Sequence, residues 1–384
     1  MTSKSTIELC QEFVRIPSPS GQERDLAARV AQEMSGRGFH DVSVDAFGSV
    51  VGRLLGATHG PVVLFDVHLD TVAPARPEQW RYGPWDGAIE GGQLWGLGAA
   101  DVKGSLAALI AGLASLPRAD LHGEIVLSAS VCEENLTGAA LTQILASQHV
   151  DVAIIAEPTE LRLGSAQRGR GDVLVTAHGR SAHTSQPELG DNAVYKMLEA
   201  VSRLRSLPQP GDPELGSGVF ELVEIVSEPL PGTAHVPHRC RTRFLARVLP
   251  EETDAGFLDR LHAALAGMDG VELSLEPSRQ VCYTGATLAH SGFLPGWRTP
   301  PEAPWLARLQ AALVDAGLGA QTFAARFGCN ASACAGAGIP AFIYGPGSLR
   351  YAYAVDERIS LSELVTGERA FAALARGCLA VHEA

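Results

Sequence analysis

The amino-acid sequence predicts an α/β fold in which a mainly parallel sheet is interrupted by a smaller, inserted α+β unit. Short apolar runs alternate with helical periodicity up to residue 168, and the alternation resumes after residue 280. Between them, residues 169–279 follow the order β-α-β-β-α-β, typical of a ferredoxin-like domain. The 384 residues exceed the usual size of one hydrophobic core. We therefore predict a main domain of residues 1–168 and 280–384 and an inserted domain of residues 169–279.

The first elements follow from capping patterns and near-continuous apolar runs. Two capping-box patterns, Ser5 with Glu8 and Ser20 with Glu23, precede apolar periodic segments and predict the first two helices. Apolar runs without polar alternation indicate strands that are buried on both faces, as in a parallel sheet covered by helices. These runs are PVVLFDV, EIVLSASV and VDVAIIA, and the segment KGSLAALIAGLASL between the first two predicts a helix.

Composition excludes several classes of protein. The net charge of −13 argues against a nucleic-acid surface, which needs clustered Lys and Arg. No apolar run approaches the ~20 residues of a membrane-spanning helix, so no membrane partner is expected. The seven scattered cysteines are typical of reduced core residues, and the N-terminus lacks the pattern of a secretory leader. The sequence therefore predicts a globular protein of the cytoplasm.

Side chains that bind metals follow the ends of the predicted strands. Because ligands bind beyond the carboxyl ends of parallel strands, these side chains are expected to converge at one edge. Each motif alone has an ordinary alternative, since a Glu-Glu pair is usually solvated and Asp101 could cap a helix. Their coincidence at four separate strand or helix termini favours a functional site. The residues are His68, Asp70, Asp101, Glu133, Glu134 and Glu157.

An imidazole together with carboxylates is a ligand set suited to zinc, with manganese or cobalt as possible substitutes. Asp70 lies two residues after His68, on the same side of an extended chain. There it can accept the second imidazole N–H and fix the tautomer. The neighbours Glu133 and Glu134 point in opposite directions in an extended segment. One of them is therefore expected to bind metal while the other faces substrate as a base.

Six segments occur in an order that resembles a known family. They are DVHLDTV, GLGAADVKG, CEENLTG, AEPTE, HGRSAHTSQPELGDNA and IYGPG. In this order they resemble the zinc-dependent aminoacylase and carboxypeptidase family, which includes acetylornithine deacetylase, succinyl-diaminopimelate desuccinylase and glutamate carboxypeptidase. The resemblance implies a zinc-peptidase-like catalytic domain that binds metal, and an inserted dimerisation or lid domain. It also implies a homodimer built through that inserted domain.

The resemblance further implies a role for each metal-binding residue. His68, Asp101 and Glu157 would hold one zinc, and Asp101 would bridge to a second zinc held by Glu134. Glu133 matches the general acid/base, which would take a proton from the attacking water and pass it to the leaving amine.

Four more residues acquire roles through the resemblance. His183 matches a histidine that reaches the partner subunit's active site and stabilises the oxyanion. Arg247 matches an arginine that binds the substrate carboxylate in a bidentate fork, although a solvated strand residue is an equal alternative. Asn330 and Gly347 are expected to add substrate contacts near the last strand.

One position departs from the family pattern. Where the family places a histidine as the terminal ligand of the second zinc, this chain has Tyr353 in GPGSLRYAYAVDERI. A neutral phenol is a poor zinc ligand because its pKa is near ~10. Three outcomes are open: Tyr353 binds as phenolate, another group substitutes, or the second site is weak or empty. One zinc is therefore expected and the second depends on Tyr353.

The sequence leaves two functions from different classes. The first is a zinc-dependent amidohydrolase or metallopeptidase, a deacylase or exopeptidase, acting on an N-acyl amino acid or short peptide with a free carboxylate. The alternative is a non-catalytic metal- or ligand-binding relative that lost turnover with the Tyr353 replacement. A nucleotide enzyme is disfavoured, because GLGAADVKG lacks both the GxGxxG fingerprint and the Gly-Lys-Ser/Thr ending of a P-loop.

Overall fold

A computed structural model describes residues 4–380 of the chain. The ends of the predicted main domain, residues 1–3 and 381–384, lie outside the described residues. The helices are α1 (Thr6–Val14), α2 (Arg24–Gly36), α3 (Gly104–Ala114), α4 (Ala139–Leu145), α5 (Ala193–Arg205), α6 (Asp254–Ala264), α7 (Pro304–Asp315), α8 (Ala331–Gly336) and α9 (Leu361–Leu379). The strands are β1 (His40–Val44), β2 (Val50–Leu55), β3 (Thr58–His68), β4 (Ala88–Glu90), β5 (Gln93–Trp95), β6 (His122–Ser130), β7 (Val152–Ile155), β8 (Leu163–Gln167), β9 (Arg170–His178), β10 (Gly211–Asp212), β11 (Gly216–Ser217), β12 (Val219–Glu228), β13 (Arg239–Arg247), β14 (Val271–Leu275), β15 (Ser278–Val281), β16 (Thr287–His290), β17 (Phe293–Leu294), β18 (Trp297–Arg298), β19 (Thr322–Ala325), β20 (Ala341–Ile343) and β21 (Arg358–Ser360).

The central sheet is mainly parallel at its core, as predicted. Its strands lie in the order β1-β2-β6-β3-β7-β20-β8-β18, and β19 pairs with β8. The block β6-β3-β7-β20 is parallel, whereas β2 and β8 pair antiparallel with its two sides. The strands of the block are buried over most of their length. This burial on both faces explains why their sequences lack polar alternation.

Helices pack on both faces of this sheet. Successive side chains of β3 point to opposite faces, so Phe65 joins the cluster formed with α3 and α9, while Leu64 joins the cluster formed with α4 and α8. The ring of Phe371 on α9 meets the ring of Phe65 edge-on, with 6.4 Å between centroids. The strand that ends at His68 is therefore held rigidly from both sides.

A second sheet contains the β-α-β-β-α-β segment that the sequence predicted. The chain order is β9, α5, β12, β13, α6, β14, and the strands are arranged as β12-β13-β9-β14, all antiparallel. This arrangement is the one of a ferredoxin-like unit. Its strand β12 pairs with β13 only, so one edge of the described sheet is open. The domain limits and the role of this unit in dimerisation stay predictions.

One of the two predicted capping boxes forms. Ser5 accepts the Glu8 N–H at 3.3 Å, and the Glu8 carboxylate accepts the Ser5 N–H at 2.8 Å. The second prediction is wrong, because α2 begins after Glu23 without a side-chain cap. Ser20 instead donates to Asp70 Oδ2 at 2.6 Å, and Glu23 accepts the backbone N–H of Cys132 at 3.1 Å. Both residues are engaged by more distant parts of the chain.

The seven cysteines are buried and unpaired. Among residues 4–380, no helix is both long and apolar enough to cross a membrane. The burial of the unpaired cysteines agrees with the prediction of reduced core residues.

Candidate metal centre

His68 is the last residue of β3, and its ring is almost fully buried. Nδ1 lies 2.8 Å from the backbone carbonyl of Asp70, which can only accept, so Nδ1 donates its proton there. The Asp70 carboxylate, predicted to be this acceptor, is 3.6 Å from Nδ1 at its nearer oxygen. Nε2 lies 3.2 Å from Asp101 Oδ1. The tautomer is therefore fixed by a carbonyl, and Nε2 is left free to bind a metal.

The Asp70 carboxylate holds the turn that carries the glutamate pair. Oδ1 accepts the backbone N–H of Glu133 at 2.9 Å, and Oδ2 accepts that of Glu134 at 3.1 Å. Ser20 donates to the same Oδ2. Asp70 thus positions residues of the site through their backbone, and its predicted catalytic assignment stays a prediction.

The same turn depends on a residue that the sequence analysis did not place in the site. Cys132, directly before the glutamate pair, has a φ of 58°, in the left-handed region that side chains seldom adopt. Its N–H donates to the fully buried Glu23 carboxylate. Glu23 thereby helps to hold the turn. Its sequence context indicated only a helix cap.

Asp101 lies between β5 and α3, and the buried carboxyl group of Glu357 stabilises this segment by accepting hydrogen bonds from its backbone. Glu357 Oε1 accepts the backbone N–H of Ala100 at 2.9 Å and that of Asp101 at 3.0 Å. Asp101 and Glu357 are both buried. The only sequence signal for Glu357 was its position shortly after Tyr353.

His68, Asp101 and Glu134 form the compact group of possible metal ligands. Each offers one ligand atom, and these atoms lie within 4.8 Å of one another. The oxygen Oε1 of Glu134 is buried and has no hydrogen-bond partner among residues 4–380. A buried carboxylate oxygen without a donor, next to an imidazole and a second carboxylate, fits a divalent cation. These residues could therefore hold a metal ion.

The electrostatics of the cluster also favour a cation. Burial in the first place, and then the charges of nearby carboxylates, raise the pKa of Glu133 to about 8 and that of Glu134 to about 9. His68 acts in the opposite direction on both groups. Carboxylates that repel one another in a buried site are stabilised as anions by a bound cation.

Glu157 follows β7, is 5% exposed and lines the same cleft, but does not belong to the compact group. Burial, Glu133 and Asp101 raise the pKa of its carboxyl group. The structure thus groups Glu134, rather than Glu157, with His68 and Asp101. The predicted first site, which included Glu157, stays a prediction.

Tyr353 lies beside Glu134. Its hydroxyl donates a hydrogen bond to Glu134 Oε2 at 2.5 Å. The residue as a whole is 54% exposed, but its side chain lines the cleft that contains Asp101 and Glu134. Burial of the hydroxyl and the charges of Asp101 and Glu134 raise the pKa of the phenol far above its ordinary value. A neutral hydrogen-bond donor therefore stands where the family pattern has an imidazole.

The cleft that contains these residues has a volume of about 180 Å³ and also carries positive charge. Arg247 ends β13, and Arg170 begins β9. Arg170 pairs with Asp172 at 2.9 Å, whereas Arg247 has no carboxylate in ion-pair contact within residues 4–380. Burial and the charge of Arg170 lower the pKa of Arg247. A partly buried guanidinium without a partner indicates a place for an anion. Arg170 was missed, because the repeated arginines of QRGRG did not show which of them faces the cleft.

Five predicted residues are not among those that line the cleft: His68 and Asp70, described above, and His183, Asn330 and Gly347. His183 is exposed and its Nδ1 is 2.7 Å from Ser185 Oγ. Asn330 is buried, donates to Asp66 and Ser130, and accepts the N–H of Gly138. Gly347, with a φ of 97°, donates its N–H to Glu363. The substrate contacts predicted for Asn330 and Gly347 stay predictions without a contact that supports them.

The largely buried metal-binding group agrees with the family to which the sequence belongs. The family model described as Peptidase family M20/M25/M40 matches residues 64–377. The chain belongs to this family. Membership of M20/M25/M40 agrees with the resemblance stated from the sequence and makes the chain a metal-dependent hydrolase of amide bonds.

Relatives of this M20/M25/M40 member cover most of its length. The YgeY protein of Escherichia coli (strain K12) is 29% identical over 384 residues, which cover 96% of this chain and 93% of that protein. A succinyl-diaminopimelate desuccinylase of Methylorubrum extorquens is 26% identical over 313 residues, covering 74% of this chain and 79% of that protein. The solved structure of aminopeptidase PepT from Bacillus cereus ATCC 10987 has a TM-score of 0.76 at 18% identity, covering 98% of this chain and 99% of that one. This structural similarity to aminopeptidase PepT confirms the fold class.

Replacement of Tyr353 by histidine is expected to raise the metal content of the purified protein from about one to about two equivalents per chain, because an imidazole nitrogen would join Asp101 and Glu134. Metal content is measured by plasma mass spectrometry after dialysis. Tyr353→Phe removes only the hydroxyl and serves as the control, which should keep the lower value. Two equivalents in the unaltered protein would contradict this expectation.

Proposed function

We propose that this chain hydrolyses the amide bond of an N-acyl amino acid or a short peptide that carries a free carboxylate. One observation carries the proposal: Asp101 and Glu134 of the compact ligand group line the same cleft as Arg247, whose guanidinium has no ion-pair partner among residues 4–380. The first part suits the activation of water and of an amide carbonyl, and the second suits the carboxylate. The desuccinylase relative, which is named for an acyl amino acid, supports this substrate class.

Glu133 is the proposed general acid/base. A bound divalent cation, for which we propose zinc with cobalt or manganese as substitutes, would lower the pKa of water and polarise the amide carbonyl. Glu133 takes a proton from the attacking water and returns it to the leaving nitrogen. Its position supports this role, because Glu133 lines the cleft beside the compact ligand group without belonging to it.

Arg247 is the proposed partner of the substrate carboxylate. Its guanidinium lines the cleft together with Glu133 and lacks a competing ion pair within the described residues. Arg170 is already paired with Asp172. It therefore adds positive potential to the cleft but offers no unpaired guanidinium to the substrate carboxylate. The proposed substrate therefore places its carboxylate towards the inserted unit and its scissile amide towards His68.

The alternative of a binding protein without turnover is not favoured. Family membership supports an enzyme, and Glu133 lines the cleft although Tyr353 replaces a histidine. The hydroxyl of Tyr353 contacts Glu134, one of the three members of the compact ligand group.

We further propose that residues 169–279 form a dimerisation domain in a cytoplasmic enzyme. The open edge of β12 exposes Val223 and Ile225 at 50% and 49%, and α5 exposes Tyr195 at 71%. An open strand edge beside exposed apolar side chains suits pairing with a second copy. His183 belongs to the same unit and is exposed, so we propose that it acts in the partner's active site. The buried, unpaired cysteines are in keeping with a reducing compartment.

Glu133→Gln is expected to lower the hydrolysis of N-acyl amino acids and dipeptides by about 10²- to 10⁴-fold, because the amide cannot shuttle a proton. Release of the free amine is measured across a panel of substrates with zinc, cobalt or manganese present. Glu78→Gln, at an exposed residue outside the cleft, is the matched control. An unchanged rate in Glu133→Gln would show that the proposed mechanism is wrong.

Arg247→Ala is expected to raise KM by about 10- to 100-fold for substrates with a free carboxylate, since a bidentate charge-assisted pair is lost. The same substrates with an amidated carboxyl group should show a much smaller change. Arg247→Lys keeps the positive charge but not the bidentate geometry. For substrates with a free carboxylate, its KM should lie between those of the unaltered protein and of Arg247→Ala. Equal losses for free and amidated substrates would rule out carboxylate recognition by Arg247.

Mixing inactive variants tests the proposed contribution of His183 to the partner's site. His183→Ala and Glu133→Gln are each expected to be inactive, but a heterodimer of the two contains one intact site. After subunit exchange, activity should recover to about a quarter of that of the unaltered protein, because half of the dimers are mixed and half of their sites are intact. The oligomeric state is checked by light scattering. Continued inactivity of demonstrably mixed dimers would contradict a role in trans.

A further inference from the structure

A second cavity adjoins the cleft and is larger than it. Its volume is about 480 Å³, and it lies between α4, α8 and the chain that runs from β16 through β17. Leu294 and Ser332 line both the cavity and the cleft. Thr137 lines the cleft, and the next residue, Gly138, lines the cavity. The cavity and the cleft therefore lie side by side and share lining residues.

The cleft alone is too small for a substrate of ordinary size. At about 180 Å³ it falls below the ~300 Å³ at which pockets for small molecules begin. The carboxylate at Arg247 and the amide at the metal-binding side chains already occupy opposite parts of it. Any further group on the substrate must therefore lie outside the cleft. The adjoining cavity, which shares Leu294 and Ser332 with the cleft, offers space directly beside it.

The residues that line the cavity indicate which kind of substrate group it can bind. Its lining contains no Lys, Arg, Asp or Glu among the described residues. Phe293 and Leu294 supply apolar surface, while Ala333 and Gly336 leave room for the occupant. The titratable side chain in this lining is His290, whose Nδ1 accepts the Gly292 N–H at 2.9 Å. Burial lowers the pKa of His290, so its ring is neutral. An anionic group would find no cation in this described lining, and the polar atom left without a partner on His290 is the neutral ring's buried Nε2.

We propose that this cavity binds the acyl group of the substrate and that the enzyme prefers N-acyl amino acids with an apolar acyl chain of several carbons. The inference rests on the proposed function and names the substrate class for it. It also separates this chain from a desuccinylase, because a succinyl group would carry a carboxylate into the apolar cavity. The substrate then spans three places: its carboxylate at Arg247, its amide at the metal-binding side chains and its acyl chain beyond Ser332.

The first experiment compares acyl groups on one amino acid. Acetyl, butanoyl, hexanoyl, octanoyl and succinyl derivatives are assayed for kcat/KM. We expect kcat/KM to rise by about fourfold for each added methylene until the cavity is full. The succinyl derivative should be slower than the butanoyl derivative, which has the same number of carbons. A flat dependence on chain length, or a preference for succinyl, would overturn the proposal.

A glycine that lines the cavity provides the variant. Gly336 is the exposed last residue of α8, and a Cβ added there meets no atom within 4 Å. Gly336→Leu is therefore chosen to place a larger side chain at the lining of the cavity. It is expected to lower the ratio of octanoyl to acetyl turnover by about tenfold or more. Gly36 ends α2 in equally open space and does not line the cavity. The control Gly36→Leu should leave that ratio unchanged. An unchanged ratio in folded Gly336→Leu would contradict the assignment.

Binding measurements separate this inference from the proposed function. The same acyl series is titrated by calorimetry into Glu133→Gln protein, which retains the cleft and cavity. Affinity that increases with chain length, and is lowered by adding Gly336→Leu, supports the cavity even without turnover. Length-dependent binding with no hydrolysis by the unaltered enzyme would refute the proposed function alone. Hydrolysis or binding that ignores chain length would refute the cavity assignment alone.

Discussion

The carboxylates of Asp101, Glu133, Glu134 and Glu157 share one cleft, and their mutual repulsion is the constraint on which the site depends. Removing carboxylates from water is costly, and each neighbouring charge adds to the cost. The raised pKa values of Glu133 and Glu134 express that cost. A cation held by His68, Asp101 and Glu134 would offset it. Without a cation, the surrounding structure must hold the carboxylates close together against their repulsion.

Buried carboxylates that do not belong to the compact ligand group supply this support. Asp70 accepts the N–H groups of Glu133 and Glu134, Glu23 accepts that of Cys132, and Glu357 accepts that of Asp101. Each acts on the backbone, so the ligand side chains remain free to face the cleft. Carboxyl groups thus serve two purposes in this site, one at the cleft and one behind it.

The fold and the convergence of the metal-binding residues could be predicted because they depend on local patterns. Apolar runs identified β3, β6 and β7, and parallel strands bring the residues after their ends together. The order of β9 to β14 followed from periodicity alone. This rule brought His68, Asp101 and the glutamates to one edge, but the choice of Glu134 as a ligand came from the family resemblance, and its grouping with His68 and Asp101 came from the structure.

Supporting contacts could not be predicted because they join distant segments. The Ser20 and Glu23 pattern has the spacing of a helix cap, yet both side chains contact residues far along the chain. A side chain that can satisfy either a local or a remote N–H gives the same sequence signal in both cases. Likewise, QRGRG contains two arginines, and only the packing of β9 shows that Arg170 lines the cleft.

Tyr353 and Glu357 lie in one loop but act on different ligands. The hydroxyl of Tyr353 contacts Glu134, whereas Glu357 holds the backbone of Asp101. The backbone N–H of Asp101 therefore has an acceptor that does not involve the side chain at position 353. A different side chain at position 353 would alter the contact to Glu134 and leave this hydrogen bond in place. One loop can thus vary what meets one member of the ligand group while it keeps the support of another.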